Sequence, residues 1–172
     1  MSDLQWNVCV TCGVLAYVLI LIALCELGVS KAIISPSLSR KIIHIGAASW
    51  LIFWPLYAVS TDGKGGSWSW KLNIFVPAAK GVELFLKGAI IRDRRDKDVV
   101  SMSRSGNPTE LLFGPLQFTL VMIYVGLYHF RKPEACLIMG ALGVGDGIAP
   151  LVGSRYGKHK FRSPGECRLL SW

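Results

Sequence analysis

Apolar residues in this chain come in long blocks rather than alternating with polar ones. Five blocks stand out, at 8–29, 42–59, 72–91, 111–130 and 135–152, separated by short connectors that carry charge or Gly, Ser and Pro. A helix needs about 20 mainly apolar residues, within a working range of about 17 to 25, to cross the hydrocarbon core of a bilayer. In lipid every backbone polar group must be satisfied within the spanning structure, so blocks of this kind read as helices. The pattern predicts an all-α fold: a polytopic membrane bundle of about five transmembrane helices. It forms one membrane domain, 1–172, with a cytoplasmic loop at 92–110 and a cytoplasmic tail at 153–172.

Composition agrees, with 52% hydrophobic residues and a mean hydropathy of +0.44. The net charge of +8 raises the question of nucleic acid, and the placement of the bases answers it. With the N-terminus outside, thirteen Lys and Arg fall on the inner side: Lys31, Arg40, Lys41, Arg92, Arg94, Arg95, Lys97, Arg104, Arg155, Lys158, Lys160, Arg162 and Arg168. Four fall outside, Lys64, Lys71, Arg131 and Lys132, and Lys80 and Lys87 lie inside the third block. This asymmetry satisfies the positive-inside rule, so the bases orient the chain in a bilayer and no nucleic-acid partner is implied. The opening residues carry an acid and no base, and the first block is too long for a signal-peptide core, so no cleavable targeting signal is expected. Cys9 and Cys12 form a CxxC with no second pair or His pair beside it, which reads as apolar packing rather than zinc.

Four constellations carry candidate chemistry. Arg40, Lys41 and His44 share a helical face at the inner mouth of the second block. They read either as interfacial side chains that snorkel or as a cationic rim for an anionic substrate. Lys80, Glu83 and Lys87, spaced by three and four after a Pro77 expected to kink the helix, lie inside the third block. Each charge at mid-bilayer costs about 2.5–3.5 kcal/mol, so this face must look into protein, as a structural ladder or a functional one. In the loop, Asn107, Pro108 and Glu110 read as an N-cap, a first-turn proline and a capping-box acid that open the fourth helix. Beside that helix start, Ser101, Ser103, Arg104 and Ser105 offer a phosphate cradle, against the simpler reading of a capped turn.

The fourth constellation places Asp146 between Gly145 and Gly147 inside an apolar block. The economical account is a broken helix that lines a hydrated cavity; a buried Asp among packing glycines is the alternative. A carboxylate there can hold Mg²⁺ or accept a hydroxyl proton, while Lys158 and Lys160 neutralise phosphate charge. The segment from Gly153 to Lys158 is not a P-loop, being one residue short with His159 where a Ser or Thr would touch the metal.

At these positions the sequence resembles the phytol and farnesol kinases, relatives of dolichol kinase and more distantly of the CTP-using phosphatidate cytidylyltransferases. The matching pieces are RKIIHIG at 40–46, VPAAKGVELFLKG at 76–88 more loosely, MSRSGNPTELLFGPL at 102–116 and GDGIAPLVGSRYGKHKF at 145–161. The resemblance implies phosphoryl transfer, from CTP with Mg²⁺, to the hydroxyl of an isoprenoid alcohol such as phytol, farnesol or geranylgeraniol, in a chloroplast or endoplasmic reticulum membrane. It implies Asp146 as metal ligand or catalytic base, with Arg104, Glu110, Arg155, Lys158 and Lys160 around the nucleotide; Arg40 and His44 join the candidate substrate- or nucleotide-binding residues through the rim read from their spacing. Two departures stand out: Pro150 where the family usually has an acid, and Asn107 where an acid is common. The family pattern also runs on past Phe161, which leads us to expect a chain cut short near Arg162. Nucleotidyl transfer to a lipid phosphate, or a structural membrane role without catalysis, are the alternative expectations.

Overall fold

The computed structural model describes residues 2–59, 68–103, 105–156, 160–162 and 169–171. Helix α1 (Asp3–Ser30) opens on a reciprocal cap, in which the Ser2 hydroxyl accepts the Gln5 N–H and the Gln5 side chain accepts the Ser2 N–H. Helix α2 (Pro36–Ala48), capped by Ser35, runs on as a 3₁₀ helix over Ser49–Leu56. A second 3₁₀ stretch, Trp68–Ile74, leads into α3 (Phe75–Phe85) and a π-helical end, Leu86–Ile91. Pro77 lies in the first turn of α3, where its missing N–H falls at the change from the tight helix to the α-helix. Short α4 (Lys97–Met102) and α5 (Glu110–Phe113) precede α6 (Pro115–Tyr128). Helix α7 (Pro133–Met139) widens into a π-helix, Gly140–Gly145, and narrows again as α8 (Asp146–Tyr156).

All five predicted blocks are therefore helical. Two helices, Asp3–Ser30 and Glu110–Tyr128, are long and apolar enough to cross a membrane as they stand. In the other three blocks the helix changes type along its length. The all-helical expectation needs one amendment, because strands β1 (Lys160–Arg162) and β2 (Leu169–Ser171) pair antiparallel in the tail. The fourth block is not one smooth rod. Pro115 has no N–H to continue the ladder, and the chain turns at Gly114 between α5 and α6.

Many large apolar side chains face outward, and several uncharged polar ones are buried beside the apolar core. Leu19, Ile20, Leu24, Ile52, Ile90 and Leu137 are exposed, whereas Asn7, Ser39, Ser69 and Asn73 are buried. The buried amides are used: Asn7 bonds both the N–H and the C=O of Ala58 and also the Ser69 hydroxyl. Asn73 donates to the carbonyls of Trp70 and Gly126 and accepts the Trp50 indole N–H at its own carbonyl. Arg131 gathers the carbonyls of Trp54, Pro55 and Tyr57 where the first 3₁₀ helix ends. Side-chain hydrogen bonds of this kind hold helices together where hydrophobic burial gives little preference for helix over lipid.

Helix α2 lies against the wide turn and α8 at very short range. A Cβ at Gly143 would overlap that of Ala48, and one at Gly147 would come within 2.6 Å of the Ile45 Cγ1. Small residues four apart are the means by which membrane helices bring their backbones together. The glycines around Asp146 thus serve close packing, and the helix is widened there rather than broken, which corrects the sequence expectation. Gly143→Ala is expected to cost about 1–3 kcal/mol through overpacking, measured by unfolding in mixed micelles. Gly140→Ala, where a Cβ meets nothing within 4 Å, serves as the control and should cost little.

Candidate functional site

A cavity of about 890 Å³ opens among α1, α2, α3, α6 and α8. Along α2 and into the 3₁₀ helix that follows it, the wall runs through Arg40, Lys41, His44 and Ala47 to Trp50, about 15 Å at the helical rise. Much of the lining is apolar, including Val18, Trp50, Val76, Val121 and Met122. Its charged lining residues, Arg40, Lys41, Lys80, Glu110 and Asp146, come from four separate parts of the sequence.

Each of these side chains is held differently. Arg40 sends Nη1 to the Ser103 carbonyl at 2.6 Å, so it ties α2 to the loop that follows α4. His44 stacks on Phe118 with ring centroids 4.1 Å apart and places Nε2 2.9 Å from the Leu142 carbonyl. The same nitrogen lies 3.7 Å from the Asp146 Oδ2. Asp146 itself is three-quarters exposed, on the cavity wall. Glu110 accepts the Ser105 hydroxyl and backbone N–H. It reaches back to Ser105 rather than to Asn107, so the expected capping box is not the one formed. Asn107 does turn the chain, its Oδ1 accepting the N–H and hydroxyl of Thr109.

The expected phosphate cradle is not assembled from the serines. Ser101 and Ser103 are buried, and their hydroxyls donate back to the carbonyls of Asp98 and Val99. Arg155 is exposed beside the Tyr156 ring, and the cavity wall drawn by the described residues does not include it. Arg104 and Lys158 lie outside the described residues, as does the side chain of Lys160, whose backbone begins β1.

Sequence reasoning missed the partners of the Lys80, Glu83 and Lys87 ladder. Lys80 bonds Glu83 at 2.9 Å and both oxygens of Asp98 at 3.0 and 3.1 Å. Lys87 bonds Glu83 at 2.8 Å, Asp96 at 3.2 Å and Asp98 at 2.5 Å. Two ammonium groups with one acid on their own helix needed further carboxylates, and the run RDRRDKD just beyond α3 supplies them. Asp98 is buried, which opposes its charge, but the hydrogen bonds and charges of Lys87 and Lys80 hold its carboxyl below the usual range. Val99 beside it packs on Leu84 and Leu111. Together these contacts seat α4 on the end of α3.

The cavity joins a largely apolar lining to several charged side chains. Comparison with known proteins adds what the chain is similar to. The chain is 31% identical over 162 residues to the probable phytol kinase 1, chloroplastic, of Glycine max, covering 92% of this chain and 51% of that one. It is 32% identical over 163 residues to the probable phytol kinase, chloroplastic, of Zea mays, covering 93% and 50%. With the farnesol kinase, chloroplastic, of Arabidopsis thaliana it shares 31% identity over 138 residues, covering 78% and 42%. The chain is thus similar over most of its length to phytol and farnesol kinases and spans about half the length of the curated relatives it matches. No family model matches it, and no solved structure is similar.

Proposed function

We propose that this chain forms the lipid- and nucleotide-facing part of a membrane-embedded kinase that phosphorylates an isoprenoid alcohol. The observation that carries the reading is the cavity, which joins an apolar interior to a rim of Arg40, Lys41, His44, Glu110 and Asp146. The outward-facing apolar side chains and buried amides support five helical passes through a bilayer, with the charged loop and tail on the cytoplasmic side. The chloroplastic relatives favour a chloroplast membrane.

In the reaction we assign, the prenol hydroxyl enters from the membrane and the nucleotide, CTP in our reading, arrives from the cytoplasmic side. The hydroxyl oxygen attacks the γ-phosphorus, the bond to the β,γ-bridging oxygen breaks and CDP leaves. The hydroxyl proton passes to the Asp146 carboxylate. Phosphoryl transfer asks mainly for positioning and neutralised charge, which Arg40 and Lys41 at the cavity mouth can supply. Among the described residues no three His, Cys, Asp or Glu stand together as a metal cage. A single exposed carboxylate suits Mg²⁺ carried in on nucleotide phosphates with most of its waters; Asp146 would hold it through one carboxylate oxygen, the other being left to accept the proton. That ion would neutralise charge on the transferring phosphoryl group.

The test is a membrane assay with CTP labelled either at the γ-phosphate or in the base, offered phytol, farnesol and geranylgeraniol. γ-Label in the prenyl monophosphate is the expected result. Base label in the lipid would replace kinase with nucleotidyl transfer, and no lipid label from either would overturn catalysis by this chain.

A further inference from the structure

The wide turn before Asp146 leaves one carbonyl over, and His44 takes it. In a regular α-helix the Asp146 N–H would bond the Leu142 carbonyl, four residues back. Here it bonds Ala141 and Gly143 instead and passes Leu142 by. The Leu142 oxygen lies 2.9 Å from the His44 Nε2 on α2. Since a carbonyl can only accept, that nitrogen carries the hydrogen. The contact is made possible by Gly143 and Gly147, which let α2 approach the turn closely enough for an imidazole to reach its backbone. Phe118 supports the ring from the α6 side. π-Helical turns occur often at functional sites, and this one ends on the carboxylate that lines the cavity.

We propose that His44 is a positioning residue, one that donates Nε2–H to the Leu142 carbonyl and so holds the wide turn that presents Asp146 to the cavity. It replaces the expectation that His44 binds the nucleotide, and its functional half rests on the kinase reading above. With the Nε2 lone pair occupied by hydrogen, His44 does not compete with Asp146 for a substrate proton through that atom. Its effect is on where the carboxylate stands. A displacement of about 1 Å in a reacting group costs on the order of 10²-fold in rate.

Two measurements test the proposal, one of them independent of catalysis. The chain has three histidines, so ¹⁵N-histidine labelling in lipid nanodiscs, with His44→Gln to assign the signal, reads the state of each ring nitrogen. Hydrogen on the His44 Nε2 is expected, and a bare Nε2 would overturn the proposal whatever the activity. In the kinase assay, His44→Ala should lower kcat on the order of 10²-fold with KM for nucleotide little changed. His44→Gln, whose amide N–H can reach the same carbonyl, should recover at least a tenth of the wild-type kcat. Equal loss in both variants, or a loss confined to KM, would overturn the positioning role. A wild-type chain with Nε2–H and no kinase activity would sink the kinase reading while leaving the hydrogen bond to Leu142 established.

Discussion

Asp146→Asn is expected to lower phosphoryl transfer by roughly 10³-fold, in the middle of the range that a positioned general base contributes. The substitution keeps the size of the side chain and removes its charge and basicity. Because Asp146 is three-quarters exposed on the cavity wall and the close contacts with α2 are made by Gly143 and Gly147, the fold has little to lose. Unfolding in mixed micelles should therefore be nearly unchanged, and nucleotide KM should move far less than kcat. The assay is single-turnover transfer of γ-label from CTP to prenol at saturating nucleotide. Transfer within threefold of wild type would remove Asp146 from the mechanism, and a large loss of stability would reassign it to the fold.

Asp98→Ala is expected to produce the largest change in stability, a loss of about 3 kcal/mol. Removing one member of a buried ion pair strands its partner, which typically costs about 3–5 kcal/mol. Lys80 and Lys87 keep Glu83, and Lys87 also keeps Asp96, so the lower end applies. The pH dependence follows from the depressed carboxyl. A group whose folded pKa lies below its ordinary 3.8 contributes stability that is present above that value and lost as pH falls through the lower folded one. Wild type should therefore weaken on acidification below about pH 4, and Asp98→Ala should lack that part of the loss. Unfolding of both proteins between about pH 3 and 7 checks it. A variant as stable as wild type at neutral pH would show that the ladder contributes nothing to holding α4. Since α4 carries the chain towards Glu110 and Lys80 lines the cavity, transfer activity should fall with the stability.

Much of the site could be read before any coordinates. The relation to the phytol and farnesol kinases was legible in RKIIHIG, MSRSGNPTELLFGPL and GDGIAPLVGSRYGKHKF, and relatives named for those activities match over most of the chain. Arg40, His44, Glu110 and Asp146 were picked out individually, and the fold brings all four to one cavity. What each does there was less legible. The serines beside Arg104 were read as a cradle, but Ser101 and Ser103 turn inward, because a hydroxyl near a helix end can bond the preceding carbonyls as readily as a ligand.

The pattern of long apolar blocks determined that the chain is helical and where its helices lie, because segment length and hydropathy are local properties. Three things waited on the tertiary structure. The acids that answer Lys80 and Lys87 come from beyond the helix, and pairing across a loop leaves no periodic trace. The glycines around Asp146 looked like helix breakers, and only the nearness of Ala48 and Ile45 shows them to be packing positions. The use of His44 depended on the Leu142 carbonyl in a widened turn, a contact between residues 98 apart in the sequence that no local pattern announces.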